Sequence, residues 1–439
     1  MRVAWKPRTI NPSVASFRYR VALPIELLRS LGHQAELFDP SQRESYDVVV
    51  FSKAYRPADQ QLAADISRSG ARVMLDLCDN HFYNPYGLDA YASARADMLS
   101  MIKACDVICS TPALARVVMA EAGLEFLPRI VGDLIEEIGA PSAPAAPKGL
   151  PRLVWFGLHG SPNAPSGMAD LLTVSAQLQW ASTKWDFELV VVSNSREKFE
   201  DCVSPLPLRT RYVEWERSAF QTELYGASAV LIPLSDNPFV ACKTHNRLTL
   251  ALAAGLPVLG DRIESYQEFA PYVWLSDWKA GLEAVLRPER EEIRRRITLG
   301  RAYLAAHWSD ADIARQWEQA LGMARQRSDR ASVRDAPEGC LTFSADRRFV
   351  GYVDPEGGTA AQTVELMING AAVARAPADL PCYITREDGR RRMSAAGGFV
   401  ISPSWEKGGG DSILFRCSLR SAETGAPIKG TLIDVHQPW

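Results

Sequence analysis

The sequence predicts an α/β protein in two successive parallel-sheet halves, followed by a small all-β domain. Three observations carry this reading. Short apolar runs alternate with helix-like segments up to about residue 139 and again from residue 152. A proline-rich stretch, APSAPAAPKGLP at 140–151, separates the two series. In the last hundred residues helical periodicity stops, and short strand-like runs such as TVELMING and FVISPSW alternate with Gly, Pro and Asp clusters.

In the first half the strand candidates are Val3–Trp5, Gln34–Phe38, Asp47–Phe51, Val73–Leu77, Asp106–Cys109 and Phe126–Ile130. Helices are predicted over Arg18–Leu31 and Asp59–Ser69, stopped by Gly32 and Gly70. In the second half the strands are Leu153–Phe156, Phe187–Val192, Thr210–Val213, Val230–Leu234, Pro257–Gly260 and Val273–Leu275. Helices are predicted over Met168–Gln179, Phe220–Ala227 and the Ala/Leu-rich part of KTHNRLTLALAAGLP at 243–257. Gly255 suits the left-handed residue after that last helix, and Pro257 keeps it from resuming. Residues 289–306 form a charged helix. Ser309 and Asp312 then open another, with Ile313, Trp317 and Leu321 on one stripe. The expected organisation is 1–139, a linker at 140–151, 152–308, a helix at 309–325 returning to the first half, a second linker at 326–339, and a β-sandwich at 340–439.

Composition excludes several classes. With 439 residues, 47% hydrophobic and 23% charged, two or three globular domains are expected. The net charge of −3 gives no footprint for nucleic acid. No apolar run reaches the ~18 residues of a membrane span. The run EEIRRRITLGR at 291–301 offers contact with an acidic membrane surface, against the plainer reading of a solvated helix face. The eight cysteines form no CxxC pair or zinc spacing, as expected of free thiols in a reducing cytoplasm.

In open parallel sheets, ligands bind beyond the carboxyl ends of the strands. That rule selects the Gly157–Gly167 loop, where Gly157 and Gly160 let backbone N–H groups approach a phosphate and His159 and Ser161 add donors. It also selects Ser193 and Asn194, Glu214 and Trp215, and the segment leading to Lys243. Lys243 and Arg247 sit where a helix dipole disfavours cations unless an anion is bound. In the first half it selects Asp79 and His81, a carboxylate and an imidazole suited to orienting or acid–base roles. Arg18 and Arg20 open the first helix and suit an anionic group. For each of these the alternative is an ordinary turn, core or surface residue.

Three stretches, SFRYRVALPIELLRSLGH (16–33), WFGLHGSPN (155–163) and AVLIPLSDNPFVACKTHNRLTLALAAGLPVL (229–259), resemble the GT-B glycosyltransferases, specifically the retaining nucleotide-sugar group that includes glycosyltransferase family four. The resemblance covers roughly residues 1–325. It implies two Rossmann-like domains facing across a cleft, and transfer of a sugar from a nucleoside diphosphate to a glycan, lipid-linked or other acceptor, as in bacterial surface polysaccharide assembly. It implies Lys243 and Arg247 on the diphosphate with Asn246 nearby, and Gly157, His159, Gly160, Ser161 and Asn163 beneath it. Ser193, Asn194, Glu214 and Trp215 would line the donor site, with Glu214 and Trp215 by the base. His81 and Asp79 would face the reacting sugar, and Arg18 and Arg20 the acceptor or a phosphate. No DxD pair presents itself for a metal, and no cofactor beyond the donor is expected. The expected location is cytoplasmic, including the inner face of the membrane. The C-terminal segment resembles small β domains appended to polysaccharide-assembly enzymes.

One departure stands out. The family's glutamate pair, eight residues apart, falls here on Cys242 and Leu250. Glu264 or Glu268, after the following strand, is the expected substitute. Without the pair, the rival expectations are a nucleotide-sugar epimerase or hydrolase of the same fold, and a catalytically silent glycan-binding or scaffold protein.

Overall fold

The computed structural model describes residues 1–124, 127–137, 149–161, 164–287 and 289–322. In the C-terminal part it describes 338–343, 348–354, 362–368, 371–385, 391–401, 413–422, 428 and 433–437. Most of the two expected linkers, the start of the expected strand at 126, and Asn163 lie outside the described residues. The chain divides into two compact units, 1–324 and 325–439.

The first unit contains two six-stranded sheets. β1 (Arg2–Pro7), β2 (Gln34–Leu37), β3 (Val48–Ser52), β4 (Arg72–Leu77), β5 (Asp106–Cys109) and β6 (Arg129–Ile130) pair in the order β2-β1-β3-β4-β5-β6. β7 (Arg152–Phe156), β8 (Glu188–Ser193), β9 (Thr210–Glu214), β10 (Ala229–Ile232), β11 (Val258–Gly260) and β12 (Trp274–Leu275) pair as β12-β11-β10-β7-β8-β9. Every pairing in both sheets is parallel. Each sheet is buried on both faces, which is why strands such as Val48–Phe51 read as unbroken apolar runs.

Several helices were not legible in the sequence. Asp89–Ala104 is 16 residues long, yet only Met98, Met101 and Ile102 are buried, so its apolar stripe covers barely one turn. Trp278–Leu286 and Arg196–Cys202 are also helical. The predicted helix after the glycine loop begins as a 3-10 segment, Gly167–Val174, and becomes α-helical at Ser175. The first helix contains a π-turn over Arg18–Ala22. Such widened turns recur at functional sites.

The helix Asp310–Leu321 opens with the expected Ser309/Asp312 capping box. It packs on the first sheet, where Trp317 meets Trp5 edge-on with ring centroids 5.6 Å apart, among Val3, Ile313 and Leu321. In the Glu291–His307 helix, Arg295 and Arg296 both bond Glu292, and Arg296 also donates to the Val273 carbonyl and lies over Trp274. Two cations of the basic run are therefore engaged within the protein. No helix among the described residues is long and apolar enough to cross a membrane.

The second unit holds two four-stranded antiparallel sheets. β13 (Glu338–Phe343), β14 (Phe349–Asp354), β17 (Leu380–Thr385) and β18 (Arg391–Ile401) pair as β13-β14-β18-β17. β15 (Gln362–Ile368), β16 (Ala371–Ala378), β19 (Ile413–Ser421) and β20 (Ile433–Gln437) pair as β16-β15-β19-β20. Phe349, Phe399 and Ile401 of one sheet share a core with Val364, Leu366 and Leu419 of the other, the alternation of a sandwich.

Arg20 does not lie at an anion site. It is 1% exposed and bonds Asp76 at 2.6 Å, Asp133 at 3.1 Å and the Val131 carbonyl at 2.7 Å, with its guanidinium over Trp317. Glu223, which reads as a solvated charge, is 9% exposed and paired with Arg211 and Arg152. Breaking a buried pair leaves an uncompensated charge in a dry interior. Arg20→Met is expected to cost about 3–5 kcal/mol, read as a lowered urea midpoint. Arg295→Ala, on the surface, is expected to leave the urea midpoint unchanged.

Candidate active site

The two sheets of the first unit meet along a seam to which their strand ends contribute. Asn80 donates to the Pro238 carbonyl at 3.0 Å, and the Thr111 hydroxyl to the Cys242 carbonyl at 3.1 Å. Arg116 pairs with Glu264. Cys242, where a family carboxylate would stand, is 2% exposed and joins the apolar core of the first half. Leu250 is 4% exposed in the core of the second half. Neither position offers a polar group to a ligand. Glu268 accepts from the Tyr303 hydroxyl and the Trp308 indole, so both alternative carboxylates are already engaged.

The wall from the second half is built on a helix N-terminus. After the 3-10 turn Val240–Cys242, Lys243 is extended, and the helix runs from Asn246 to Ala253, ending at Gly255 with φ 80°. No side chain caps its N-terminus, which leaves backbone N–H groups free for an anion. Arg247 donates to the Phe156 carbonyl at 3.4 Å, beside Gly157. A Cβ on Gly157 would come within 3.4 Å of the Arg247 guanidinium. Asn246 reaches Asp133 at 3.4 Å.

The glycine loop is tightly built. A Cβ on Gly167, which holds φ 87°, would lie 2.6 Å from the Gly160 Cα. His159 is held through its backbone N–H and its Nδ1 by the Asn194 side chain at 3.1 and 3.0 Å. Ser193 is fully buried and donates to the Gly157 carbonyl at 2.8 Å, so it shapes the loop from below. Ser161 bridges to Ala164.

Asp170 was not singled out from the sequence. It is 2% exposed, accepts from the Gly167 N–H at 2.9 Å and from the Ser235 hydroxyl, and feels the Arg247 cation. Burial raises its pKa, and Ser235 and Arg247 oppose that shift. The available signal was capping spacing, an Asp three residues after Gly167 at a helix start.

The opposite wall comes from the ends of β3 and β4. Asp79 lies between two ammonium groups, accepting from Lys53 and Lys243 at 2.5 Å each. His81 sits 4.0 Å from Asp79, with its Nδ1 2.7 Å from the Tyr55 hydroxyl. Burial works against the Asp79 charge, but Lys243 and Lys53 outweigh it and hold the carboxyl well below its usual range. Burial, then the Lys53 cation, push His81 down to about 3, so it is a neutral imidazole near pH 7. Lys53 and Tyr55 follow β3, a strand end from which the sequence reading took no candidate.

At one end of the seam a cavity of about 340 Å³ is lined by Pro12, Arg18, Glu136, Trp215, Arg217 and Phe220. Arg18 pairs with Glu136 and lies 5.2 Å over the Trp215 ring. Glu214 is exposed and accepts from Tyr212. The structure thus brings Lys243, Arg247, Asn246, Gly157, Asp79 and His81 toward one cleft, places Arg18 and Trp215 at its end, and removes Arg20 to the core.

No family model and no curated protein matches the chain. Solved structures do. HepE of Anabaena, in complex with UDP, matches 74% of this chain and 100% of its own, with 12% identity and a TM-score of 0.52. A glycosyltransferase from Rickettsia africae matches 73% of this chain and 98% of its own, with 12% identity and a TM-score of 0.52. The fold is GT-B. A further match, TarM, has 12% identity and a TM-score of 0.46; this chain covers 54% of TarM, about half its length, and 62% of this chain is matched. In GT-B terms the described cleft lies between the two Rossmann-like halves.

His81 protonates more readily when unfolded, where its pKa is near 6.5, than when folded. The stability tied to its neutral form is present above about pH 6.5 and is lost as pH falls from there toward 3. His81→Gln is expected to lose less stability between pH 6.5 and 4 than the parent. Urea midpoints across that range check this, and equal slopes for the two proteins would refute it.

Proposed function

We propose that this chain is a glycosyltransferase that moves a sugar from a nucleoside diphosphate to a hydroxyl of a glycan or lipid-linked acceptor. The observation that carries the reading is the uncapped helix N-terminus flanked by Lys243 and Arg247, beside the glycine loop and opposite Asp79 and His81. Two cations and a helix dipole stabilise a departing diphosphate without a metal ion. HepE, which shares the fold, is solved with UDP, and this supports a nucleoside diphosphate here. The cavity at Trp215 would receive the nucleoside, where Arg18 already occupies one region over the indole.

In this reading Lys243, Arg247 and the backbone N–H groups of Asn246 and Arg247 take up the charge that develops as the C1–O bond to the diphosphate breaks. Gly157 and Gly160 keep the loop close enough for backbone contact. His81, neutral and held by Tyr55, donates or accepts a hydrogen bond without contributing a charge. Closure of the halves excludes water. We assign retention of configuration from the resemblance, together with action at the cytoplasmic face in surface polysaccharide assembly. Burial of Cys242 and Leu250 keeps a second reading open, a GT-B protein that binds a donor without transfer.

Thermal shifts against UDP-, GDP-, ADP-, dTDP- and CMP-linked sugars identify the donor, and calorimetry then gives its affinity. Lys243→Ala and Arg247→Ala are each expected to weaken binding about 10- to 100-fold, the worth of a charge-assisted hydrogen bond. Unchanged affinity would remove the phosphate assignment. Nucleoside diphosphate release that requires a glycan acceptor and survives EDTA supports transfer. Binding without release favours the silent reading.

A further inference from the structure

Lys243 has two claims on it. On the reading above it serves a diphosphate, and the present inference rests on that reading. In the structure its ammonium bonds Asp79 Oδ1 at 2.5 Å, from the opposite wall of the cleft. Asp79 is 15% exposed at its side chain and Lys243 33%, so the contact is partly shielded from water, and a carboxylate there competes seriously with phosphate.

The geometry around Asp79 is that of an anion site already filled. Lys53 bonds the other carboxylate oxygen at 2.5 Å. Lys53 holds φ 53°, a left-handed conformation uncommon for a side-chain-bearing residue, at the turn that aims its ammonium into the cleft. The remaining groups facing Asp79 are the Cys78 thiol at 3.7 Å and the His81 ring at 4.0 Å, with Tyr55 behind His81 and Arg8 over the Tyr55 ring. Two lysines share one carboxylate, and the Cys78 thiol and the His81 ring are uncharged near neutral pH.

We propose that Asp79 stands in for the donor's diphosphate on Lys243. The incoming diphosphate displaces it, and the freed Oδ1, still anchored through Oδ2 to Lys53, then accepts a hydrogen bond from the acceptor hydroxyl. Asp79 is a positioning residue in this scheme, and no proton need leave the acceptor for it to act. Two consequences follow from the exchange. Donor binds before acceptor, because the acceptor's partner is exposed only once Lys243 has moved. Donor affinity is the intrinsic affinity multiplied by the fraction of molecules in which Lys243 is free.

The test is calorimetric titration of UDP and of inorganic pyrophosphate into the full chain, with thermal unfolding of each variant alongside. Asp79→Asn is expected to bind both probes at least ~5-fold tighter than the parent, while the KM for acceptor rises and kcat falls. A residue that contacts the donor, or one that merely supports the fold, would give weaker binding. Lys53→Met/Asp79→Asn removes one charge of each sign, so the local net charge equals that of the parent. It too is expected to bind tighter, and it carries the test if the single variant does not fold. Tighter binding in the single variant but not in the double would reveal a simple field effect and overturn the proposal. Equal or weaker binding in both would overturn it and leave the diphosphate assignment standing. If no protein, parent or variant, binds either probe, the diphosphate assignment falls and this inference falls with it.

Discussion

The cleft hangs on one buried guanidinium. Arg20 is taken out of water by the first helix and is neutralised by Asp76 and Asp133. Such an arrangement gains little stability over an apolar core, but it permits few alternatives, because each partner is costly to leave unpaired. Asp76 is the penultimate residue of β4, and after Leu77 the chain continues through Cys78, Asp79, Asn80 and His81. Ser52 at the end of β3 also bonds Asp76, which fixes the turn into Lys53. Asp133 extends the network across the seam to Asn246 at the start of the helix. One buried cation therefore sets the register between the wall that carries Asp79 and His81 and the wall that carries Lys243 and Arg247.

The second wall has its own smaller version of the same device. Asp170 ties the end of the glycine loop through the Gly167 N–H and reaches Ser235, with Arg247 near enough to oppose its discharge. Gly160 and Gly167 approach within a distance that no side chain would tolerate. The glycines thus have a packing reason of their own. The Gly157, His159 and Gly167 N–H groups are bonded to Val192, Asn194 and Asp170, and Ser193 and Asn194 pin the loop from below and from the side.

Fold and site were unequally legible in the sequence. Parallel strands buried on both faces announce themselves as apolar runs, so the strand candidates of the two halves lie close to the observed ones. Helices with a single buried turn, such as Asp89–Ala104, do not. Strand-end logic located Asp79, His81, Lys243 and the glycine loop. It did not separate Arg18, which faces the cleft, from Arg20 two residues later, because which side of the first helix meets the core is set by partners far away in sequence, Glu136 for Arg18 and Asp76 and Asp133 for Arg20. Lys53, Asp133 and Asp170 act through partners 26, 113 and 65 residues away in sequence, and spacing cannot reveal such pairs.

The loss of carboxylates at 242 and 250 fits this distribution of charge. Cys242 is drawn into the core of the first half and its carbonyl is bonded by Thr111, so the seam is sealed at the point where a glutamate would project. A carboxylate there would have to be desolvated against an apolar core, at a cost of several kcal/mol. On the proposed reading, the negative group facing the reacting sugar has to come from the other wall. Asp79 is the carboxylate in position to supply it, and two lysines keep it ionised. Relative to the resemblance, the division of labour has shifted. On that proposal the second half keeps Lys243, Arg247 and the helix N-terminus for the diphosphate, and the first half holds the anion.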